Sequence, residues 1–219
     1  MSIVVVIIIA FVLTMIFTSN KEDRESRKDM KEFHKELDKQ IAQGPPPELI
    51  SQYRENINSQ NNLQSAKNAF DSENYTDAIK YANNVLMNDK HETNALYIKA
   101  VASMDKGIRL ENKRLIADSI SYFDEVLVQN SNSHISDAWY NKGLALTHLQ
   151  NFSEASQCMS KVVELKPYDE EAWVHKMVVE YMLQNYSTTI KCINKVFEIN
   201  PYNEHAKKMM QELKENNLF

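Results

Sequence analysis

Apolar residues along most of this 219-residue chain recur every three or four positions, which is the spacing of one face of an α-helix. One such series is Leu49, Tyr53, Ile57, Leu63, Ala66 and Phe70. No run of alternating β-branched residues is long enough for a sheet, and the chain holds only three glycines. The pattern therefore predicts an all-α protein.

The amino-terminal segment has a different pattern, because Ile3–Phe17 is apolar at every position except Thr14. A transmembrane helix needs about 20 residues, and about 17 suffice when the flanking residues lie at the interface. A cleaved signal peptide is the rival interpretation, but basic residues before the run and a small-x-small site after it are lacking. We expect residues 1–20 to form an uncleaved membrane anchor.

Basic residues flank this run on its carboxyl side only, at Lys21, Arg24, Arg27 and Lys28. Lysine and arginine near a membrane segment favour the cytoplasmic side. The sequence thus predicts a single-pass membrane protein with its remaining domain in the cytoplasm.

Residues 21–44 form the predicted stalk and linker. Residues 21–39 carry seven basic and seven acidic side chains, and a narrow apolar stripe follows Met30, Phe33, Leu37 and Ile41. This amphipathic helix could extend the anchor, pair with a second copy, or lie on the domain that follows. Gly44 and the prolines after it then end the helix.

From residue 136 onward the chain repeats itself with a period of about 34 residues. The matching pairs are Trp139 and Trp173, Asn151 and Asn185, Cys158 and Cys192, Pro167 and Pro201, and Tyr168 and Tyr202. The spacing and the residue types resemble the tetratricopeptide repeat family. That resemblance implies paired antiparallel helices that stack into a solenoid, with the first helix of each pair lining an inner groove.

The clearest unit, residues 136–169, has Trp139, Gly143 and Leu146 in its first helix and Ala155 in its second. Small residues are expected where two helices cross closely. The next unit has Met177 and Thr189 at the two small positions. The predicted repeat domain covers residues 45–219, with repeats at about 59–92, 93–135, 136–169 and 170–203, and a capping helix at 204–217.

One repeat is longer than the others, because the separation between Asn74 and Asn151 exceeds two periods by nine positions. Seven of these extra residues fit within the first helix, where they add close to two turns without rotating its apolar face. The other two are assigned to the loop at 129–134.

Composition argues against several functions. The formal net charge is −5 and no basic stripe is present, so a nucleic-acid partner is not expected. The sequence has no phosphate-binding glycine loop, no Cys-x-x-Cys pair and no histidines at metal-ligand spacing. We expect no enzyme activity, no cofactor and no metal site.

Three Asn-x-Ser/Thr sequons, at Asn74, Asn151 and Asn185, occupy the same place in their repeats. That place is the turn between the paired helices, where asparagine supplies turn or cap chemistry. Cys158 and Cys192 are likewise equivalent, in neighbouring second helices, which suits packing better than a disulfide.

The resemblance gives a candidate binding groove in the first helices. Its matching positions are Tyr97, Val101, Tyr140, Asn141, Leu144, His148, Val174, His175, Val178 and Tyr181. An apolar wall rich in tyrosine favours a partner peptide or helix with apolar or aromatic anchors. About half of these residues are expected to pack between repeats instead, and Tyr140 and Tyr181 are the strongest groove candidates.

Some tetratricopeptide proteins hold the terminal carboxylate of a chaperone with Lys, Asn and Arg side chains. The matching positions here are Leu63, Ile98, Asp137 and Asn141, with Lys67 alone basic. A chaperone-tail receptor is therefore not expected.

Two functions remain open from the sequence. The first is a membrane-anchored adaptor, or scaffold, that binds a partner protein in the groove. The second is a structural subunit of a membrane complex that associates laterally, through the stalk or through the lengthened helix around Met104, Ile108 and Leu110. The sequence leaves the oligomeric state undetermined.

The anchor generates the first prediction. We expect the full chain to stay with membranes after high-salt and carbonate washing, because a buried apolar helix is not released by either treatment. Removal of residues 1–20 is expected to release the protein. Release of the full chain by carbonate would show that the anchor assignment is wrong.

Overall fold

The computed structural model describes residues 46–129 and 134–218, together with residues 31, 32, 35 and 44. The apolar run Ile3–Phe17 and the stripe at Met30, Phe33, Leu37 and Ile41 lie outside these residues. Among the described residues, no helix combines the length and the apolar character needed to cross a bilayer. The chain divides into two compact units, Met1–Ile57 and Asn58–Phe219.

Within residues 46–129 and 134–218 there are nine α-helices and no strand. They are α1 (Pro47–Asp71), α2 (Tyr75–Asn88), α3 (Thr93–Arg109), α4 (Lys113–Val128), α5 (Ile135–His148), α6 (Phe152–Leu165), α7 (Glu170–Met182), α8 (Tyr186–Ile199) and α9 (Glu204–Glu215). The prediction of an all-α fold is confirmed for this part of the chain.

The helices form successive hairpins in the unit Asn58–Phe219. We call α1, α3, α5 and α7 the first helices and α2, α4, α6 and α8 the second helices, and α9 packs on the last pair. Each hairpin buries its apolar face partly against the next one, so the core continues from repeat to repeat. This is the helical-hairpin solenoid that the period of the sequence predicts.

Each hairpin turn has the same backbone conformation. Its residue with a positive φ is Glu73 (55°), Glu111 (52°), Gln150 (63°) or Gln184 (60°). The residue after it is always an asparagine at the amino end of the second helix: Asn74, Asn112, Asn151 or Asn185. A left-handed residue reverses the chain, and the cap then starts the next helix.

The side chains of these asparagines explain the sequons. Asn74 Oδ1 accepts a hydrogen bond from the Asp77 N–H at 3.3 Å, and Asn151 Oδ1 accepts one from the Glu154 N–H at 3.5 Å. The predicted turn and cap role is confirmed at both. Asn185 differs, because it makes no side-chain cap bond.

Asn185 instead contacts a buried carboxylate. Glu180 lies one period after Leu146, at the position where the preceding repeat buries a leucine, and it is itself buried. Its carboxylate accepts hydrogen bonds from Asn185 Nδ2 (2.9 Å) and Ser156 Oγ (2.5 Å). These bonds give each oxygen of the buried carboxyl group a hydrogen-bond donor, and they join α6, α7 and the start of α8.

The predicted small positions are confirmed in the clearest repeat. A Cβ atom added to Gly143 would lie 2.6 Å from the Met159 Cε atom and 3.2 Å from the Cys158 Cβ atom. Ala155 is fully buried on the facing helix. The helices therefore approach so closely at 143 that even a Cβ atom requires the Met159 side chain to move.

The long repeat differs from its prediction. Helix α3 has 17 residues, compared with 14 in α5 and 13 in α7, so its extension is about one turn rather than two. The turn residue Glu111 lies almost midway along the sequence between the turn residues Glu73 and Gln150. The extra residues are thus shared between α3 and the segment after Glu111, and assigning seven to the first helix is wrong.

The additional turn of α3 contacts the preceding hairpin turn. Lys106 Nζ donates to Thr76 Oγ1 at 2.9 Å, and Arg109 pairs with Glu73 at 2.5 Å while lying over the Tyr75 ring. These exposed contacts orient the end of α3 rather than stabilise it strongly.

The three residues of the lengthened helix that were proposed for lateral assembly are not all on the surface. Met104 is buried, Ile108 is partly buried, and Leu110 alone is well exposed. Met104 belongs to the core that α3 shares with α4 and α5. The physical reason is the shorter extension, which leaves Met104 within the packed part of the helix.

Two glycines allow a direct test of the packing. At Gly107 an added Cβ would lie 2.9 Å from the backbone N of Ile116, which cannot move freely, whereas at Gly143 the closest atom ends a flexible methionine. Overpacking costs about 1–3 kcal/mol, against about 1 kcal/mol that alanine gains over glycine in helix propensity. We expect Gly107→Ala to destabilise the protein and Gly143→Ala to be closer to neutral in urea unfolding. Equal effects, or the reverse order, would contradict the packing described here.

The buried cysteines give another prediction. Burial raises the pKa of the Cys158 and Cys192 thiols to about 11, and both are free. A raised pKa leaves on the order of one thiolate in a thousand at pH 8. We expect both thiols to react with a maleimide dye only after unfolding in urea, while a Gln157→Cys variant, exposed beside Cys158, reacts in the folded state.

The raised pKa of the two cysteine thiols also makes the stability of the protein depend on pH. Ionisation of the unfolded thiols begins near pH 8.5, below the raised folded value, so this contribution to stability is complete below about pH 8.5. This contribution to stability is lost as the pH rises toward the folded pKa of about 11.

In the labelling experiment, a folded protein whose two native thiols react as fast as the Gln157→Cys thiol would refute the burial of Cys158 and Cys192.

Candidate functional site

The ten predicted groove residues all lie on first helices, in α3, α5 and α7. Eight of them are partly buried, Val101 is buried and His148 is exposed. Side chains from neighbouring first helices meet: Asn141 Nδ2 donates to the Tyr97 hydroxyl oxygen at 3.1 Å, and the Tyr140 and His175 rings lie 5.2 Å apart, edge to face. We call the surface formed by the first helices the first-helix groove.

The two strongest groove candidates, Tyr140 and Tyr181, each donate a hydrogen bond from the hydroxyl group to a carboxylate of the same chain. Tyr140 donates to Glu171 Oε1 at 2.8 Å, and Tyr181 donates to Glu212 Oε1 at 2.5 Å. In both cases the carboxylate follows the tyrosine by 31 residues, on the next helix of the same layer. Tyr140 and Tyr181 therefore join successive helices of this layer through their hydroxyl groups.

These bonds also change the ionisation of the tyrosines. Burial, followed by the hydrogen bond to Glu171, raises the pKa of Tyr140 far above its ordinary value. The hydrogen bond to Glu212 raises the pKa of Tyr181. Both hydroxyl groups are thus held protonated, and what each tyrosine offers to a partner is its ring.

A cavity of about 570 Å³ lies between α1 and α3, at the amino-terminal part of the first-helix groove. Its lining residues are Gln60, Leu63, Gln64, Lys67, Phe70, Asp71, Asn94, Tyr97, Ile98, Val101 and His134. Cavities that bind small groups in proteins have volumes of about 300–1,000 Å³ and combine apolar walls with a few polar groups. This cavity has that composition.

Helical periodicity explains how the cavity is lined. The residues of α1 follow the spacing of one helix face, from Gln60 through Gln64 and Lys67 to Asp71. On α3 the face begins at Asn94 and ends at Val101. Two parallel faces of neighbouring first helices therefore form the walls.

His134 and Tyr97 form one end of the cavity. Their rings are stacked, with centroids 4.4 Å apart and planes inclined by 8°, and His134 Nε2 lies 3.0 Å from Asn94 Oδ1. Burial raises the pKa of Tyr97 to about 12. This end of the cavity is therefore aromatic, and the Tyr97 hydroxyl group there is neutral at physiological pH.

The charge at the cavity comes from Lys67 and Asp71. Lys67 is exposed, and no ion pair to it is found within the described residues. The amide groups of Gln60, Gln64 and Asn94 supply both hydrogen-bond donors and acceptors. Such a surface can bind an apolar side chain and the polar main chain that carries it.

Sequence reasoning found part of this cavity. Tyr97 and Val101 were among the ten predicted residues, whereas the polar residues of α1 were not, because all ten predicted positions lie on α3, α5 and α7. The signal that could have found them is the spacing of Gln60, Gln64 and Lys67 on the same face as Asp71. In the described part of the chain, no three His, Cys, Asp or Glu side chains converge as metal ligands would.

Comparisons with known proteins agree with this geometry. Residues 136–169 match the family model for the tetratricopeptide repeat. An uncharacterized protein of Methanocaldococcus jannaschii is 35% identical over 60 residues, which are 27% of this chain and 67% of that protein.

Two solved structures show the same fold. The crystal structure of MamA protein has a TM-score of 0.64 at 17% identity, over 74% of this chain and 84% of that one. MamA from Desulfovibrio magneticus RS-1 has a TM-score of 0.61 at 17% identity, over 74% and 89% of the two chains. Residues 136–169 thus match a tetratricopeptide repeat, and the stacked hairpins around them form a solenoid of the tetratricopeptide-like type.

Proposed function

We propose that this protein is a membrane-anchored adaptor that binds a peptide or helix of a partner protein in the first-helix groove. The anchor is the run Ile3–Phe17, and the repeat domain lies on the cytoplasmic side. An anchored adaptor acts by raising the local concentration of its partner, so that even a weak contact suffices.

The cavity between α1 and α3 is the observation that carries this proposal. It has the volume of a site for one or a few side chains, and it opens beside exposed polar residues of α1. Leu63, Ile98 and Val101 offer apolar contacts, and the neighbouring amides offer hydrogen bonds to a main chain. A partner segment with an apolar or aromatic anchor residue fits this chemistry.

The remaining groove residues extend the proposed site along α5 and α7. The rings of Tyr140 and Tyr181, with Leu144, Val174 and Val178, are partly exposed there. Since the two hydroxyl groups are bound to Glu171 and Glu212, these tyrosines contribute apolar contact area. We assign them a secondary role, after the cavity.

Lateral assembly into a membrane complex is the second function left open by the sequence. The lengthened helix offers little surface for such an assembly, because Met104 is buried and Leu110 alone is well exposed. Leu110 therefore serves as the probe position for this alternative.

Site-specific photo-cross-linking tests the groove. A benzophenone amino acid at Gln64, in the cavity wall, is expected to capture a partner in membranes that contain the full chain and an extract of the source cells. The same probe at Gln157, exposed on the second helix α6, is the matched control and is expected to capture nothing. A Gln60→Trp change, which fills part of the cavity, is expected to reduce the capture at Gln64, while Gln157→Trp leaves it unchanged.

The outcomes separate the two functions. Capture at Gln64 that is insensitive to Gln60→Trp, or equal capture at Gln157, would exclude the cavity as the binding site. Capture by a probe at Leu110, with none at Gln64, would favour lateral assembly instead.

A further inference from the structure

One edge of the repeats is formed by the last turns of the second helices, the loops after them and the first turns of the helices that follow. It comprises residues 85–96, 125–129, 134–138, 162–173 and 196–207. Because successive hairpins stack side by side, these segments lie along the same side of the solenoid. We call them the loop edge.

Most of the strongly exposed large apolar side chains of Asn58–Phe219 lie on the loop edge. They are Met87, Val128, Leu165, Tyr168 and Tyr202, and among the described residues of this unit only Leu110 and Met182 join them from the opposite edge. Single exposed apolar residues are ordinary on protein surfaces. Five on one edge offer a partner a series of apolar contacts.

The loop edge also carries most of the negative charge of the repeats. Its segments contain ten acidic and three basic residues, a formal charge of −7, whereas residues 58–219 as a whole have a formal charge of −4. The four hairpin turns with the helix turns beside them, residues 68–78, 106–116, 145–155 and 179–189, have a formal charge of −2. Each edge includes as many helix amino ends as carboxyl ends, so helix dipoles do not offset this difference.

More than half of the carboxylates on the loop edge have no cationic partner. Within the described residues, no lysine or arginine forms an ion pair with Asp89, Glu92, Glu125, Asp169, Glu170 or Glu171.

Several of these carboxylates are held in place by neutral donors. Asp169 accepts a hydrogen bond from the Ala172 N–H, and Glu170 accepts hydrogen bonds from the side-chain amides of Asn203 and Asn200, which lower the pKa of its carboxyl group. A neutral donor orients a carboxylate without cancelling its charge. A cationic partner therefore meets negative groups that are already ordered.

The tyrosine rings of the loop edge show that it accepts cationic side chains. Lys195 Nζ lies 5.9 Å from the centroid of the Tyr168 ring, and Lys207 Nζ lies 5.7 Å from that of Tyr202. Both rings are still about four-fifths exposed. Lysine and arginine place an aliphatic stem on apolar surface while the charged head reaches a ring or a carboxylate.

We propose that the loop edge binds a basic segment of a partner protein, in which lysine or arginine residues are interspersed with aliphatic ones. Charge complementarity selects this occupant, because a formal charge of −7 repels nucleic acids, anionic lipid surfaces and the same edge of a second copy. The inference goes beyond the proposed groove and depends neither on it nor on the anchor.

Fluorescence anisotropy with synthetic peptides tests the inference on the full chain in a non-ionic detergent. The probe repeats Leu-Arg-Lys, and the controls repeat Leu-Gln-Gln and Ser-Arg-Lys, so that charge and apolar contact are removed one at a time. We expect both controls to bind about tenfold more weakly than the probe. Since the Debye length falls from about 30 Å at 0.01 M salt to about 8 Å at 0.15 M, affinity for the probe is expected to fall over this range.

Matched double variants locate the contact. Glu125→Lys with Val128→Ser changes one carboxylate and one apolar side chain on the loop edge, and Glu111→Lys with Leu110→Ser makes the same changes on the opposite edge. All four residues are exposed, and circular dichroism checks that helicity is unchanged. At about 0.15 M salt we expect the loop-edge variant to bind the probe about fivefold more weakly and the opposite-edge variant to bind it unchanged.

The outcomes separate the loop edge from the groove. Equal weakening by the two double variants, equal binding of either control peptide, or no binding of the probe would overturn the loop-edge inference. Loss of binding in a Gln64→Trp variant, with none in the loop-edge variant, would mean that the peptide uses the cavity between α1 and α3 instead. That result would overturn the loop-edge inference and leave the proposed groove intact.

Discussion

The close crossing of the two helices within each hairpin is the constraint on which the rest of this structure depends. At Gly107 a Cβ atom would lie 2.9 Å from the backbone N of Ile116, and at Gly143 it would lie 2.6 Å from the Met159 Cε atom, which must move to admit it. A hairpin this tight buries only part of its apolar surface, and the remainder must be covered by the next hairpin. Stacking, the continuous core and the exposed first-helix groove all follow from that requirement.

The turns show how little sequence is needed to maintain this arrangement. A residue with positive φ followed by an asparagine recurs four times, although the helices on either side differ in length and composition. The long repeat keeps the same turn, and its extra residues are distributed on both sides of Glu111. The hairpin geometry thus tolerates additional residues where they extend an element, and excludes them from the turn.

The surfaces of the solenoid differ in the groups that they expose. Between neighbouring first helices, hydroxyl and carboxylate groups such as those of Tyr140 and Glu171 are bound to each other, so the surface there presents mainly rings and aliphatic groups. Between α1 and α3 a cavity remains, with amides and Lys67 at its walls. The carboxyl ends of the second helices carry apolar and tyrosine side chains that a groove does not need.

The sequence by itself determined the helical class, the repeat period, the small crossing positions at Gly143 and Ala155, and the asparagine turns, because these depend on local spacing and on the volume of single residues. It predicted Tyr97 and Val101 as groove residues, and both line the cavity between α1 and α3. It could not determine that Met104 is buried, that Glu180 takes the Asn185 amide away from its cap, or that the cavity lies between α1 and α3. Those facts depend on how side chains from different helices meet within and across neighbouring hairpins, and only the tertiary structure decides such contacts.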